Sequence, residues 1–477
     1  MQLLIPLERR GEPLSRQIYA ALRHAILGGT FRAGERLPST RDLAEQLGVS
    51  RTVVVLAYEQ LLSEGFVDGR VGAGTFVPAG LAAAPSGDGP PPARPRLSRF
   101  GAIAAEVRSA VEFPAPLPKT LRYDFAYGRS DVDCFPFGHW WRLLHRCARR
   151  TAVRGLDYGE AAGIGSLREA IAAHLRRSRS VACTAAQVVV VSGSQQALDL
   201  VARVLIEPGD HVVIEDPLYQ GTREVLHAAG ARVEAIAVDR DGLDPAALPA
   251  AARLVFVTPS HQYPTGAILP LARRQALLRW AARADALIVE DDYDGEFRYD
   301  GRPLESLQGL DRRGRVLYVG TFSRTIFSAL RIGYLIVPPS LVAAFTAAKW
   351  LCDRHTATLE QETLAEFIQS GGYERHLRRL RRRSAVARDS LLDAVRRQLG
   401  DRVEVSGDGA GAHVVLWLDG RRSEAAVVAA AAAREVGVYG IAPYFATQPS
   451  RPGIILGYSR MRVADIREGV TRLAAVL

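Results

Sequence analysis

Apolar residues recur at helical spacing at Leu14, Ile18, Leu22, Ile26 and Leu27 and stop at Gly28-Gly29, which predicts a first amphipathic helix. A second starts at Ser39, with Asp42 three residues on in the manner of a capping box, carries Leu43 and Leu47, and ends at Gly48. Ser50 then caps a third, which carries Val53, Val54, Leu56, Ala57, Leu61 and Leu62. Past Glu64-Gly65, two short β-prone runs flank a glycine-rich turn between Phe66 and Pro78 and predict a hairpin. Helix, glycine-containing turn, helix and hairpin make a winged helix-turn-helix, whose recognition helix meets the major groove through its N-terminal residues.

The periodicity then lapses. From Ala79 to Arg99 the chain is rich in Ala, Gly, Pro and Ser, including Pro85-Ser86-Gly87-Asp88-Gly89-Pro90-Pro91-Pro92, a composition that buries no core and reads as a linker. From Tyr123 apolar β-rich runs alternate with helical segments. The runs are Gln187 to Ser192, Asp210 to Glu215, Arg253 to Pro259, Ala286 to Asp291, Val316 to Thr321 and Arg331 to Val337. That alternation predicts an α/β domain with a mostly parallel sheet, which takes ligands at the carboxyl ends of its strands. The expected organisation is a winged helix-turn-helix over 1–78, a linker over 79–120, and a large domain over 121–477 that ends in a small α+β subdomain.

Composition narrows the function classes. No apolar run is long enough to span a bilayer and Met1 to Arg10 lacks a signal-peptide layout, so a cytoplasmic protein without membrane partners is expected. Cys134, Cys147, Cys183 and Cys352 are far apart and form no Cys-x-x-Cys pair, which points to reduced thiols and to no metal site. The formal charge is +10, yet residues 1–78 hold nine Arg against eight Asp/Glu, so a DNA-binding reading rests on motif rather than on bulk charge. Lysine occurs only at 119 and 349.

The chemistry-bearing motifs sit at the predicted strand ends. Ser192-Gly193-Ser194-Gln195 opens a helix, where free N–H groups and the helix dipole favour an anion; Ser194 and Gln195 are candidate phosphate ligands, although a cap is the commoner use of such a serine. Tyr219, just beyond a strand, could stack on a planar ring or fill the core rim. The turn Thr258-Pro259-Ser260-His261-Gln262-Tyr263-Pro264-Thr265-Gly266 is polar, and its histidine reads first as a structural hydrogen-bonding group. Glu290-Asp291-Asp292-Tyr293-Asp294 follows a buried run, so its carboxylates need partners; a pyridinium nitrogen would serve, and so would an arginine.

Several of these stretches carry a resemblance. Residues 1–78 closely resemble the winged helix-turn-helix of the GntR regulators through Leu-Pro-Ser-Thr-Arg, Gly-Val-Ser-Arg, Ala-Tyr-Glu-Gln-Leu and Gly-x-Gly-Thr-Phe-Val in order. The resemblance implies that Ser39, Arg41, Ser50, Arg51 and Thr52 touch an operator, and that Arg70 with Gly72 and Gly74 brings the wing to the minor groove. From about Tyr123 onward the chain resembles fold-type I aminotransferases, and the whole is similar to the MocR subfamily of GntR regulators, through Tyr158-Gly159-Glu160, Ser-Gly-Ser-Gln-Gln-Ala-Leu, Glu-Asp-Pro-x-Tyr, Ser-His-Gln-Tyr-Pro-Thr-Gly, Glu-Asp-Asp-Tyr-Asp and Gly-Thr-Phe-Ser. That likeness implies a pyridoxal 5'-phosphate pocket. Asp291 would pair with the ring nitrogen, Tyr293 with the ring hydroxyl, and Tyr219 would stack on the ring beside Tyr263. Ser194, Gln195, Ser323 and Arg331 would hold the phosphate, and Tyr158 would reach it from the second subunit of a homodimer.

Two departures redirect the reading. Position 324, between Ser323 and Arg331, carries Arg where the resemblance places the Schiff-base lysine, and a guanidinium cannot lose the proton an imine requires. Ile455 stands where many aminotransferases have the arginine that grips a substrate carboxylate, with Arg451 close by in sequence. The expectation is therefore a DNA-binding regulator, not an enzyme, sensing pyridoxal phosphate, its amine form or a cofactor-amine adduct noncovalently. A pocket for an unrelated ligand, or one kept only for dimerisation, is the second reading. An aminotransferase with an atypical lysine-free site is the third.

Overall fold

The computed structural model describes residues 5–8, 11–70, 72–80, 95–106, 121–150, 157–299 and 304–477. The chain forms two compact units, Met1–Arg96 and Leu97–Leu477. Most of the stretch predicted as linker, with Lys119, lies outside the described residues.

In the first unit α1 (Leu14–Leu27), α2 (Thr40–Leu47) and α3 (Arg51–Ser63) precede a hairpin of β1 (Asp68–Arg70) and β2 (Gly74–Phe76). Ile18, Leu22 and Ile26 of α1 meet Val54, Ala57, Tyr58 and Leu61 of α3 in one buried cluster, as the spacing predicts. Leu56 and Leu62, expected in that stripe, are exposed. Their places are taken by Tyr58, whose hydroxyl donates to the Pro38 carbonyl at 2.7 Å and ties α3 to the start of α2. Gly48 ends α2 at φ +63°, a left-handed position that suits glycine.

The second unit begins with α4 (Arg99–Glu106), a helix inside the stretch predicted as linker; its Phe100 ring lies 5.6 Å from the Arg203 guanidinium. There follow β3 (Tyr123–Asp124), α5 (Phe137–Arg150), α6 (Gly165–Ser178), β4 (Val188–Val191), α7 (Ser194–Leu205), β5 (His211–Asp216), α8 (Gln220–Ala229), β6 (Arg232–Ala237), β7 (Leu254–Val257), α9 (Leu271–Ala284), β8 (Leu287–Asp292), α10 (Leu307–Leu310), β9 (Val316–Thr321) and β10 (Gly333–Ile336). The seven strands from β4 to β10 make one sheet in the order β4-β10-β9-β8-β7-β5-β6. All neighbours are parallel except β10, which runs antiparallel to both β4 and β9. Helices cover both faces, so β4, β7 and β10 are buried along their whole length and read as unbroken apolar runs.

The remaining elements are α11 (Val342–Asp353), α12 (Thr358–Gln369), α13 (Gly372–Gln398), β11 (Val403–Ser406), β12 (His413–Leu418), α14 (Glu424–Ala432), β13 (Val436–Gly437), β14 (Tyr439–Gly440), β15 (Gly453–Gly457) and α15 (Val463–Ala474). Antiparallel β11-β12-β15-β14 forms the expected small subdomain. Its apolar face packs with Leu391 and Val395 of α13 and with Ile466, Val470 and Leu473 of α15.

Candidate functional site

A cavity of about 580 Å³ opens at the carboxyl end of the large sheet. It is lined by nine residues that the sequence nominated: Ser194, Gln195, Tyr219, Tyr263, Asp291, Tyr293, Ser323, Arg324 and Arg331. They come from the ends of β5, β7, β8 and β9, from the start of α7 and from the approach to β10, so strand ends far apart in sequence converge as a parallel sheet requires.

Strand alternation sorts the acidic cluster on β8. Glu290 and Asp292 face one side: Glu290 accepts from the Leu307 and Gln308 N–H groups at 2.9 and 2.8 Å, and Asp292 accepts from Arg179 Nε at 2.7 Å and from the Tyr318 hydroxyl. Asp291 faces the other side, into the cavity, and its Oδ1 is shut off from water without a hydrogen-bond partner. Burial, aided by the charges of Asp292, Asp294 and Glu215, pushes its carboxyl up to about 7. Such an orphan carboxylate suits a protonated ring nitrogen.

Tyr293 stands beside it. Its hydroxyl lies 2.8 Å from His261 Nδ1, which also lies 3.1 Å from Asp294 Oδ2. Burial alone would raise the Asp294 carboxyl, but His261 and Arg324 bring it below its ordinary value. His261 thus has the structural hydrogen-bonding part first read from its motif. Tyr263 meets Tyr219 and Tyr293 edge-on at centroid distances of 6.2 and 5.2 Å, which walls the cavity with rings.

The Ser323-Arg324 turn is fixed from both sides. Phe322 and Ile326 are buried in the core, the Ile326 N–H donates to the Phe322 carbonyl at 2.8 Å, and the Thr325 carbonyl accepts from His376 Nε2 of α13 at 2.6 Å. Arg324 is 7% exposed, and its two terminal nitrogens are buried without hydrogen-bond partners. Its guanidinium carbon lies 5.6 Å from the Tyr293 ring centroid. No lysine is among the described residues that line the cavity. Lys349, fully buried on α11, is paired with Asp353 and lines no part of it.

An anion subsite lies at the start of α7. Gly193 occupies the N-cap at φ +87°, a backbone conformation that favours glycine, and the Arg331 guanidinium lies close against it. Arg331, itself at φ +53°, donates from Nη2 to the Ser192 carbonyl at 2.8 Å. Ser194 is the first residue of α7, after the Gly193 N-cap, and lines the cavity; the helix-cap alternative is not realised there. Gln195 donates to the Gly221 carbonyl at 3.3 Å and leaves Oε1 buried without a partner.

Tyr158, expected to act from a second subunit, and the two positions of the missing carboxylate grip, Arg451 and Ile455, line no part of this cavity. Tyr158 is 74% exposed, lines no part of this cavity, and lies under the Arg354 guanidinium at 4.6 Å. Arg451 pairs with Glu404 at 2.7 Å and covers the Trp417 ring, so its nearness in sequence to the missing carboxylate-binding position does not bring it into the cavity. Ile455 is buried among tyrosines. Sequence reasoning missed Arg129 and Arg460, which line the cavity from two loops joined by the Gly457 N–H donating to the Phe125 carbonyl.

In the first unit Arg41, Ser50, Arg51 and Thr52 are exposed around the start of α3. Ser39 is the N-cap of α2, accepting from the Asp42 N–H at 3.2 Å, whereas Ser50 occupies its cap position without a side-chain bond. Arg51 contacts the Thr40 hydroxyl at 3.3 Å, which joins the starts of α2 and α3. On the hairpin the Arg70 guanidinium lies 4.9 Å from the Phe76 ring, and Gly72 and Gly74 hold φ of +75° and +113°.

Residues 14–77 match the family model of bacterial regulatory proteins of the gntR family, and residues 136–472 that of aminotransferase class I and II. The chain is 39% identical to the probable rhizopine catabolism regulatory protein MocR of Rhizobium meliloti, over 97% of this chain and 93% of that one. It is 32% identical to the HTH-type pyridoxine biosynthesis transcriptional regulator PdxR of Corynebacterium glutamicum, over 95% of each. Among solved structures, LysN, the α-aminoadipate aminotransferase of Thermus thermophilus complexed with N-(5'-phosphopyridoxyl)-L-leucine, is 28% identical and superimposes with a TM-score of 0.69, covering 74% of this chain and 91% of that one.

Proposed function

The chain belongs to the transcriptional regulators that join a GntR helix-turn-helix to an aminotransferase class I and II domain, and from that premise we propose that its larger domain senses a pyridoxal-phosphate-like molecule held without a covalent bond. The observation that carries this reading is one cavity that sets an orphan buried carboxylate, Asp291, and an anion subsite at Ser194 and Arg331 around a turn that offers Arg324 and no lysine. Asp291 would take the ring nitrogen, Tyr293 the ring hydroxyl and Tyr219 the ring face. Ser194, Gln195, Ser323 and Arg331 would take the phosphate, with help from the α7 dipole.

When bound to a lysine, pyridoxal phosphate supplies an electron sink for carbanion chemistry. Arg324 supplies neither the nucleophile that anchors the group nor a base to move a proton, so this domain reads as a sensor rather than an enzyme. The exposed Tyr158 fits a role at a homodimer contact. On the operator side, Arg51 at the start of the recognition helix would reach base edges, with Arg41, Ser50 and Thr52 on phosphates. The cell interior is the expected site of action.

Two measurements test the proposal. Pyridoxal phosphate should bind the full-length protein by calorimetry yet leave no borohydride-fixed mass at position 324, whereas Arg324→Lys should acquire one. A trapped adduct on Arg324, or no binding at all, would overturn it. Arg51→Ala should weaken binding to the protein's own promoter DNA at least about tenfold, the loss of one good base contact, while the pyridoxal phosphate affinity stays unchanged.

A further inference from the structure

Arg324 is the unusual group in this cavity. Its guanidinium is permanently charged, yet it is 7% exposed and both terminal nitrogens lack partners. Buried cations are ordinarily paired, and no carboxylate among the described residues forms an ion pair with it. Asp294, whose charge Arg324 helps to stabilise, is hydrogen-bonded to His261 rather than to the guanidinium. Asp291, the orphan acid of the same cavity, is not paired with it either.

The cavity therefore holds a cation and an acid that do not satisfy each other. The complementary molecule carries a protonatable nitrogen for Asp291 and an acceptor for Arg324. A guanidinium presents a planar fork of donors, which matches the two oxygens of a carboxylate and makes one hydrogen bond to an aldehyde oxygen. An ammonium group has no acceptor and brings a like charge into a water-poor space.

We propose that Arg324 makes the cavity selective for a pyridine phosphate whose ring substituent beside it is an anionic oxygen group, a carboxylate above all, and selective against the corresponding amine. The inference rests on the pyridine-phosphate reading of the site and names which members of that class it accepts. The two ends of the cavity then have separate tasks. The anion subsite at Ser194 and Arg331 recognises the phosphate common to the class, and Arg324 reads its oxidation state.

Three probes that differ at one ring position test this: pyridoxamine 5'-phosphate, pyridoxal 5'-phosphate and 4-pyridoxic acid 5'-phosphate, titrated calorimetrically into the full-length protein. The expected order of affinity is carboxylate over aldehyde over amine, with about tenfold at each step, the scale of one charge-assisted hydrogen bond gained or lost. Arg324→Met should compress the three to within about threefold while the affinity owed to the shared phosphate persists. If that variant does not fold, Arg324→Gln serves, and the wild-type order is decisive by itself. Equal affinities in the wild type, or an amine bound as tightly as the carboxylate, would overturn the selectivity and leave the pyridine-phosphate reading standing. Binding of none of the three would overturn both.

Discussion

Replacing Asp291 by Asn should stabilise the unliganded protein and weaken its ligand together. The carboxyl is moved from 3.8 to about 7, mainly because burial penalises its ionised form. A raised carboxyl pKa means the folded state binds more protons than the unfolded state between those values, so the group's contribution to stability falls as pH rises through that window. Ionising it in the fold costs up to about 4 kcal/mol above pH 7, on the basis of about 1.4 kcal/mol per tenfold step in affinity for the proton. Below pH 4 the cost nearly vanishes. Asn copies the neutral acid in size and shape and removes the cost. Thermal unfolding of wild type and Asp291→Asn should therefore coincide at pH 4 and separate by several degrees at pH 8, with the variant the more stable. The same substitution deletes the partner of a ring nitrogen. Pyridoxal phosphate affinity should fall by about ten- to a hundredfold, the value of a hydrogen bond to a charged group. A variant no more stable than wild type at pH 8 would refute the account of the carboxyl. An unchanged ligand affinity would refute its role.

Ser39→Ala should lower the stability of the winged unit by about 1 kcal/mol, the usual value of an N-cap, and chemical unfolding of the fragment-sized transition in the full chain should show it. Arg451→Ala should change pyridoxal phosphate affinity less than about twofold and stability by no more than about 1 kcal/mol, because its half-exposed pairing with Glu404 is remote from the cavity lining. A tenfold loss of affinity would return it to the site.

How much of this was legible depends on which physical signal each residue leaves. The recognition unit left strong local ones: helical spacing in α1, a capping serine before α2, and a left-handed glycine after it. The large sheet was legible because buried parallel strands must be apolar throughout, although the short edge of that pattern hid β6, whose residues alternate between half-buried and exposed. The cavity followed from the strand ends. Within it, alternation could have told Asp291 from its two neighbours, since residues one apart on a strand face opposite sides. Nothing local could place Arg129 and Arg460, which arrive through pairing between distant segments, nor separate Arg451 from Ile455, whose sequence nearness hides a turn that sends one to Glu404 and the other into the core. Helix α4 was missed because proline and glycine dominate the stretch around it.

The burial of Lys349 has a practical bearing on chemical labelling. Aldehydes and activated esters commonly decorate a protein through its surface amines, and such background obscures a single specific attachment. Here one of the chain's two ε-amines is sealed within α11 and held by Asp353, which also accepts from Gln196 at 2.8 Å. The chain's other ε-amine is that of Lys119. A lysine introduced at 324 would thus report in a nearly silent chemical background, and any reagent coupled through amines would mark the chain at very few places.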